Sequence, residues 1–380
     1  MINNQRLIKL TQKVLSINSE NPPGKELEIA RFVEKDMRSL GIEVKTYAFE
    51  KGRPNIVATI KGSLPRKQAA RGAILITPHI DTVPIGKGWK YDPYGSDIKG
   101  GKLYGRGTSD DKGNLASCME VMRSLVEDKL RLRKDVVMAA TVDEECGSHC
   151  GIIPLLDKKV LKPALAVVMD SSEFDAIIVQ KGLFHGKIQI FGKKAHGAYN
   201  WRGINAIEIA ARVIRNLKSF QYPYERHPLL HGPTMNIGVI QGGDKVNMVP
   251  DFCEVFFDAR FLPGTNPKYL LRLIQSSIEK ETKRYRLQIL DLQAPYEMDR
   301  HHPFVKTYLK VCRKMKCPAE PKGCEGATVI TFFQKHGIPA FATGFAAHDT
   351  AHTNDEYIYI KSLCKGTRAL EAYIKEYDKL

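Results

Sequence analysis

No stretch of this sequence approaches the roughly 20 consecutive apolar residues that a membrane-spanning helix needs. The N-terminus, Met1-Ile-Asn-Asn-Gln-Arg6, is polar and leads into an amphipathic pattern, without the apolar core of a signal peptide. Cysteine is sparse. Eight residues (Cys118, Cys146, Cys150, Cys253, Cys312, Cys317, Cys324 and Cys364) among 380 form no Cys-x-x-Cys pair and are too few for a disulfide scaffold. These absences read as a cytoplasmic protein with reduced thiols. There is no internal repeat or low-complexity segment and no serine or cysteine nucleophile motif. Gly105-Arg-Gly107 lacks the third glycine and the preceding strand of a dinucleotide fingerprint.

What is present is ordinary in bulk and specific in detail. Hydrophobic content of 43% and charged content of 26% suit a soluble globular protein, and 380 residues are enough for a large core and two domains. The net charge of +16 attracts polyanions non-specifically. Its lysines and arginines are scattered, with short clusters only at residues 129–134 and 310–322, and no nucleic-acid recognition motif accompanies them. The charge reads as a solvated surface that favours anionic substrates.

Helical spacing predicts helices over residues 5–17 and 24–40, with Ile29, Val33, Met37 and Leu40 on one face of the second. Asn21-Pro22-Pro23-Gly24 breaks the chain between them. Strands are expected at residues 43–49, 55–60, 73–77, 135–142 and 164–169, and helices at 114–128 and 154–159. Three of these strands end in loops bearing acids or histidine: His79-Ile-Asp81, Asp143-Glu144-Glu145 and Asp170. Groups gathered beyond the carboxyl ends of strands indicate an α/β fold, with an open, mixed or mostly parallel sheet flanked by helices. After about residue 178 the texture changes. Strands at 186–191, 234–240, 252–260 and 287–292, with helices at 204–217 and 266–285, give the order β-α-β-β-α-β of a ferredoxin-like insert. A helix at 303–315, a strand at 338–343 and a C-terminal helix then return to the first pattern. The expected division is residues 1–177 and 294–380 as a metal-binding catalytic domain, with 178–293 inserted.

The chemistry begins with His79 and Asp81, which point the same way from extended backbone. A glycine-rich turn, Gly105-Arg-Gly-Thr-Ser-Asp110-Asp111-Lys-Gly113, delivers two more acids. Three adjacent acids at 143–145 repel each other unless a cation sits among them. Alone, the triplet also reads as a solvated acidic turn or a helix cap. Together with His79, Asp110, Asp170 and His352 it reads as a metal site. The spacing of Cys146 and Cys150 beside it favours packing over ligation.

At this point the chain resembles the zinc-dependent amidohydrolase family of acetylornithine deacetylase, succinyl-diaminopimelate desuccinylase, aminoacylase and glutamate carboxypeptidase. The resemblance spans essentially the whole length. It rests on His79-Ile-Asp81-Thr-Val, the 105–113 turn, Asp143-Glu-Glu145, Met169-Asp170, Ala195-His196-Gly-Ala and Ala351-His352-Thr-Asn-Asp-Glu356, in that order. It implies two zinc ions, replaceable by cobalt or manganese, bridged by Asp110. His79 and Asp170 would complete one site, and Glu145 and His352 the other. Such a pair shares a water and polarises a scissile carbonyl. Glu144 is implied as general base, and Asp81 as the carboxylate that orients His79 or a neighbour. The two glutamates can take different roles because neighbouring side chains on an extended segment diverge.

The resemblance further implies a homodimer through residues 178–293, with His196 reaching the partner subunit's site to stabilise an oxyanion. Asn247, Arg260, Gly326 and Thr328 match positions used near substrate. One region departs: where many relatives carry an acid and a carboxylate-binding arginine, this chain has Val329 and Thr331. The resemblance therefore implies amide hydrolysis of an N-acyl amino acid, with a dipeptidase or carboxypeptidase-like exopeptidase as the alternative. A polyanion-binding protein with a structural metal site is the reading of another class, against which the unligated Glu144 argues. No specific nucleic acid or membrane partner is expected.

Overall fold

The computed structural model describes residues 1–219 and 222–380. The apolar runs at the centre of the sequence reading become Ile74–Thr77, Val136–Ala140 and Leu165–Val168, almost wholly buried strands. They pair in parallel, with Ile74–Thr77 in the middle. Ala340–Ala342 adds a further parallel strand beside Leu165–Val168. Antiparallel strands flank this centre: Arg53–Ile60 and then Glu43–Glu50 on one side, Ala176–Gln180 on the other. Strands buried on both faces read as continuous apolar runs, which is why this part was visible in sequence.

By internal contacts the chain forms two compact units, residues 1–178, 298–322 and 328–380, and residues 179–297 and 323–327. In the first, helix Lys112–Glu127 is buried along most of its length and packs against Asn4–Leu15 and Ile360–Tyr377. Ile360–Tyr377 also packs on Pro303–Lys314, where Tyr308, Phe341 and Tyr373 meet with ring centroids 5.2–5.9 Å apart. A small sheet of Ile98–Lys99, Lys102–Tyr104 and Tyr357–Tyr359 was not expected. Its register pairs Tyr357 with Tyr104 across more than two hundred residues, and no local periodicity announces such a pairing. It matters because it lays the 352–356 segment beside the glycine-rich turn.

The second unit has the order strand Gly182–Phe191, helix Ala206–Ser219, strands Thr234–Gly242 and Phe252–Phe261, helix Pro267–Glu279 and strand Tyr285–Gln293. All four strands are antiparallel neighbours, with Phe252–Phe261 and Gly182–Phe191 at the centre, as in a ferredoxin-like fold. Alternate residues of the central strands, such as Phe184, Ile188, Val255 and Phe257, join Ile274 and Ile278 in its core. The expected helix over 266–285 stops at Glu279. Tyr285 belongs instead to the last strand, where it pairs with Ile190. Residues 323–327 join this unit through Lys181, whose buried ammonium pairs with Glu325 and donates to the Gly232 carbonyl. Among the described residues no helix is long and apolar enough to cross a membrane.

Candidate metal centre

His79 follows the Ile74–Thr77 strand by two residues and is 3% exposed. Its backbone N–H donates to Asp111 Oδ2 at 3.0 Å, and its Nδ1 lies 3.0 Å from the Asp81 carbonyl oxygen. A carbonyl only accepts, so Nδ1 carries the hydrogen and Nε2 presents a lone pair. That Nε2 is 2.8 Å from Asp110 Oδ1. Two acceptors at this distance need a proton or a cation between them.

The other oxygen of Asp110 meets a second imidazole. His352 Nε2 lies 3.1 Å from Asp110 Oδ2 and 3.1 Å from Glu145 Oε2. Asp110 therefore stands between two histidines, one on each carboxylate oxygen. Ligand atoms of His79, Asp110 and Glu145 fall within 4.8 Å of one another. Asp170, just past the Leu165–Val168 strand, faces the same cluster through charge. Burial, then the negative charge of Asp110, pushes its carboxyl up to about 7.

The electrostatics are those of a site built for cations. Glu144 is pushed well above the usual carboxylate range by burial and then by Asp170. Glu145 is raised by burial, against the pull of His352. Asp110 goes the other way: burial opposes its charge, but His352 and His79 hold it below the usual range. His352 is raised to about 10 by its contacts with Asp110 and Glu145. Carboxylates crowded around two imidazoles are unfavourable together unless protons or a metal cation neutralise them. A mixed imidazole and carboxylate donor set suits zinc and its neighbours in the first transition row. The residues fit the implied metals.

The acidic triplet reaches the cluster by a turn. Asp143 adopts a left-handed conformation (φ 67°) and Glu144–Cys146 form one 3-10 turn, so the two glutamates diverge by turn geometry, not by the extended backbone expected. Asp81 is fully buried and holds this turn: its carboxylate accepts from the backbone N–H groups of Glu144 (3.2 Å) and Glu145 (3.1 Å) and from Asn21 Nδ2 (2.9 Å). Its carboxylate is farther from His79 Nδ1, at 3.4 Å, than its own carbonyl is. Asp81 thus acts on His79 chiefly through its backbone and on the acids through its side chain. Beneath lie Arg53, Glu26 and Asp143. Arg53 pairs with Glu26 and reaches Asp143 at 3.0 Å.

Glu356 was quoted in a motif but given no role. Its carboxylate is 0% exposed and accepts four hydrogen bonds from the glycine-rich turn. The donors are Ser109 N (2.7 Å), Asp110 N (3.0 Å), Gly107 N (3.1 Å) and Arg106 Nη1 (2.7 Å). The only sequence signal was an acid four residues after His352. Glu356 fixes the backbone that aims Asp110. Glu356→Gln puts an amide NH2 where donors converge, and is expected to weaken zinc binding by about 10–100-fold. Competition against a chromogenic chelator measures this, and an unchanged affinity would show that the turn holds its shape without Glu356.

The remaining predicted residues lie elsewhere. In the second unit, His196 and Asn247 come together: Ala195–His196 pairs with Met248–Val249, and Gly197 N donates to the Asn247 carbonyl at 2.7 Å. His196 is exposed and its Nδ1 accepts from Ala198 N at 3.1 Å. Arg260 is not with them. Its guanidinium pairs with Asp258 and lines a cavity of about 380 Å³ with Lys218, Tyr222, Tyr224 and Met235. Gly326 belongs to the second unit and Thr328 to the first, where its hydroxyl accepts from Ile330 N at 3.4 Å.

The chain has relatives in both sequence and fold. The profile of Peptidase family M20/M25/M40 matches residues 75–376. The chain is 26% identical to the acetylornithine deacetylase of Vibrio cholerae over 381 residues, 97% of this chain and 96% of that one. Its fold resembles a tripeptidase from Staphylococcus aureus, with TM-score 0.84, 22% identity and all of both chains covered. It also resembles a dinuclear metal binding peptidase of the M20 family from Bacillus subtilis, with TM-score 0.75, 16% identity and 99% of each chain covered.

Proposed function

We propose that this chain, a hydrolase of amide bonds belonging to peptidase family M20/M25/M40, deacylates N-acyl amino acids in the cytoplasm with the help of two zinc ions. The observation that carries the metal reading is Asp110, with one imidazole on each carboxylate oxygen. His79 and Asp170 would hold one ion with it, and Glu145 and His352 the other. When bound, such ions polarise the scissile carbonyl and acidify water. Cobalt or manganese could replace zinc in this donor set.

The protein's own groups supply the rest. Glu144 is the general base, taking a proton from the attacking water and returning it to the leaving nitrogen. Asp81 fixes the turn that carries Glu144 and so sets where that carboxylate stands. His196 is the oxyanion donor. Because its Nδ1 accepts a hydrogen bond, the neutral ring carries its proton on Nε2, which can donate. In this reading residues 178–293 form the homodimer interface, and His196 serves the partner's site. A mixed dimer of Glu144→Ala and His196→Ala chains is expected to regain one working site of its two. Failure to recover any activity on mixing would argue that His196 acts within its own chain.

For the substrate, similarity to the acetylornithine deacetylase supports the acyl amino acid. The likeness in fold to a tripeptidase favours a short peptide as the second reading. Asn247, Arg260, Gly326 and Thr328 are the candidate substrate contacts. A panel of acetyl-, succinyl- and formyl-amino acids beside di- and tripeptides, assayed with added zinc or cobalt, separates them. Faster turnover of the peptides would replace the first reading with the second.

A further inference from the structure

The end of helix Pro303–Lys314 brings two cysteines together for reasons unrelated to the metal cluster. Met315 caps the helix and Lys316 follows in the left-handed region (φ 55°). Cys317 N then donates to the Cys312 carbonyl at 2.8 Å, and Lys316 N to the Arg313 carbonyl at 3.0 Å. These two bonds define a Schellman motif, whose first residue past the left-handed turn packs its side chain on the helix residue five positions earlier. That contact is normally apolar. Here both partners are cysteines whose thiols act on each other, and Cys317 Sγ also faces the Met315 carbonyl at 4.0 Å. The backbone bond ties Cys317 to Cys312 where this motif packs its two side chains together.

The surroundings make the two thiols unequal. Both are buried, Cys312 at 1% exposure beside Tyr308 and Cys317 at 7%. The hydrogen bond from Cys312, and then the Lys365 ammonium, hold the Cys317 thiol below its usual range against burial. Hydrogen bonding to Cys317 and burial push Cys312 up. A more acidic, more accessible thiol beside a protonated one is the arrangement of an attacking and a resolving cysteine.

We infer that Cys312 and Cys317 are a reversible modification site, a thiol pair that closes to a disulfide by exchange with a low-molecular-weight disulfide. The Cys317 thiolate attacks the small disulfide, forming a mixed disulfide and releasing one small thiolate. The Cys312 sulfur then attacks Cys317 Sγ; the Cys312–Cys317 bond forms, and the second small thiol leaves with the proton Cys312 gives up. The protein loses two electrons and two protons, which reduce one small disulfide to two thiols. All eight cysteines are free in the structure.

The test equilibrates the full chain with glutathione mixtures of rising oxidised fraction, then quenches and alkylates it. Arg313, Lys314 and Lys316 lie between the cysteines, so trypsin yields two peptides that only the disulfide holds together. The expected result is joint loss of alkylation at Cys312 and Cys317, with a linked peptide and no glutathione on either. Cys312→Ser removes the resolving thiol and is expected to leave glutathione trapped on Cys317. Wild-type protein that keeps glutathione on Cys317, or that stays alkylated at both cysteines in fully oxidised glutathione, would overturn the inference, whatever the variant does.

Discussion

Glu144→Ala protein is expected to hydrolyse its best amide substrate ~100- to 10,000-fold more slowly than wild type, the range a positioned general base contributes. It is also expected to keep about two metal ions per chain, because a two-ion site of this kind is filled by the other carboxylates and histidines. The two parts must hold together. Glu144 is half-buried beside Asp170, Glu145 and Asp110, all of which disfavour its charge. Glu144 is outside the donor set that would hold the ions, so its truncation leaves every one of those ligands in place. Loss of metal along with activity would mean that Glu144 is a ligand and that the base is another group. Turnover against metal content, measured on one preparation, decides between them.

Asp110→Ala is expected to do the opposite: activity falls to background because the metals leave. Asp110 meets His79 through one carboxylate oxygen and His352 through the other, so one truncation removes an oxygen from each half of the site. Circular dichroism should show an intact fold, since Glu356 grips the turn through backbone N–H groups that the substitution keeps. Metal analysis after dialysis is expected to find under about one ion per chain, as each half loses a ligand. Retention of about two ions would show that Asp110 is not shared between them.

The strand-end placement of the chemistry was legible because it depends on local pattern. Runs such as Ala73-Ile-Leu-Ile-Thr77 are apolar on both faces, and the loops that follow them carry His79, Glu144, Glu145 and Asp170. The ferredoxin-like insert was legible for the same reason, through the alternation over residues 186–191, although the strand begins earlier, at Gly182. What escaped depends on partners distant in sequence. Glu356 gains its place only through the pairing of Tyr357 with Tyr104, and Arg53 only through Glu26 and Asp143. Tyr285 was assigned to a helix because its pairing with Ile190 is not written nearby. The divergence of Glu144 from Glu145 was expected from extended backbone, but it comes from the left-handed Asp143, a conformation that residue identity alone does not specify. The Cys312–Cys317 pair was likewise invisible to a search for Cys-x-x-Cys, because the geometry that joins them is a helix cap.

The central claim is that amide hydrolysis depends on two ions held around Asp110. It is tested most directly by stripping the protein with a chelator, adding zinc back in measured steps, and following hydrolysis of an N-acyl amino acid at each step. The account predicts no activity in the stripped protein and a rate that climbs until about two ions per chain are bound. Hydrolysis that persists without metal, or that no added zinc, cobalt or manganese restores in a protein still folded, would contradict it.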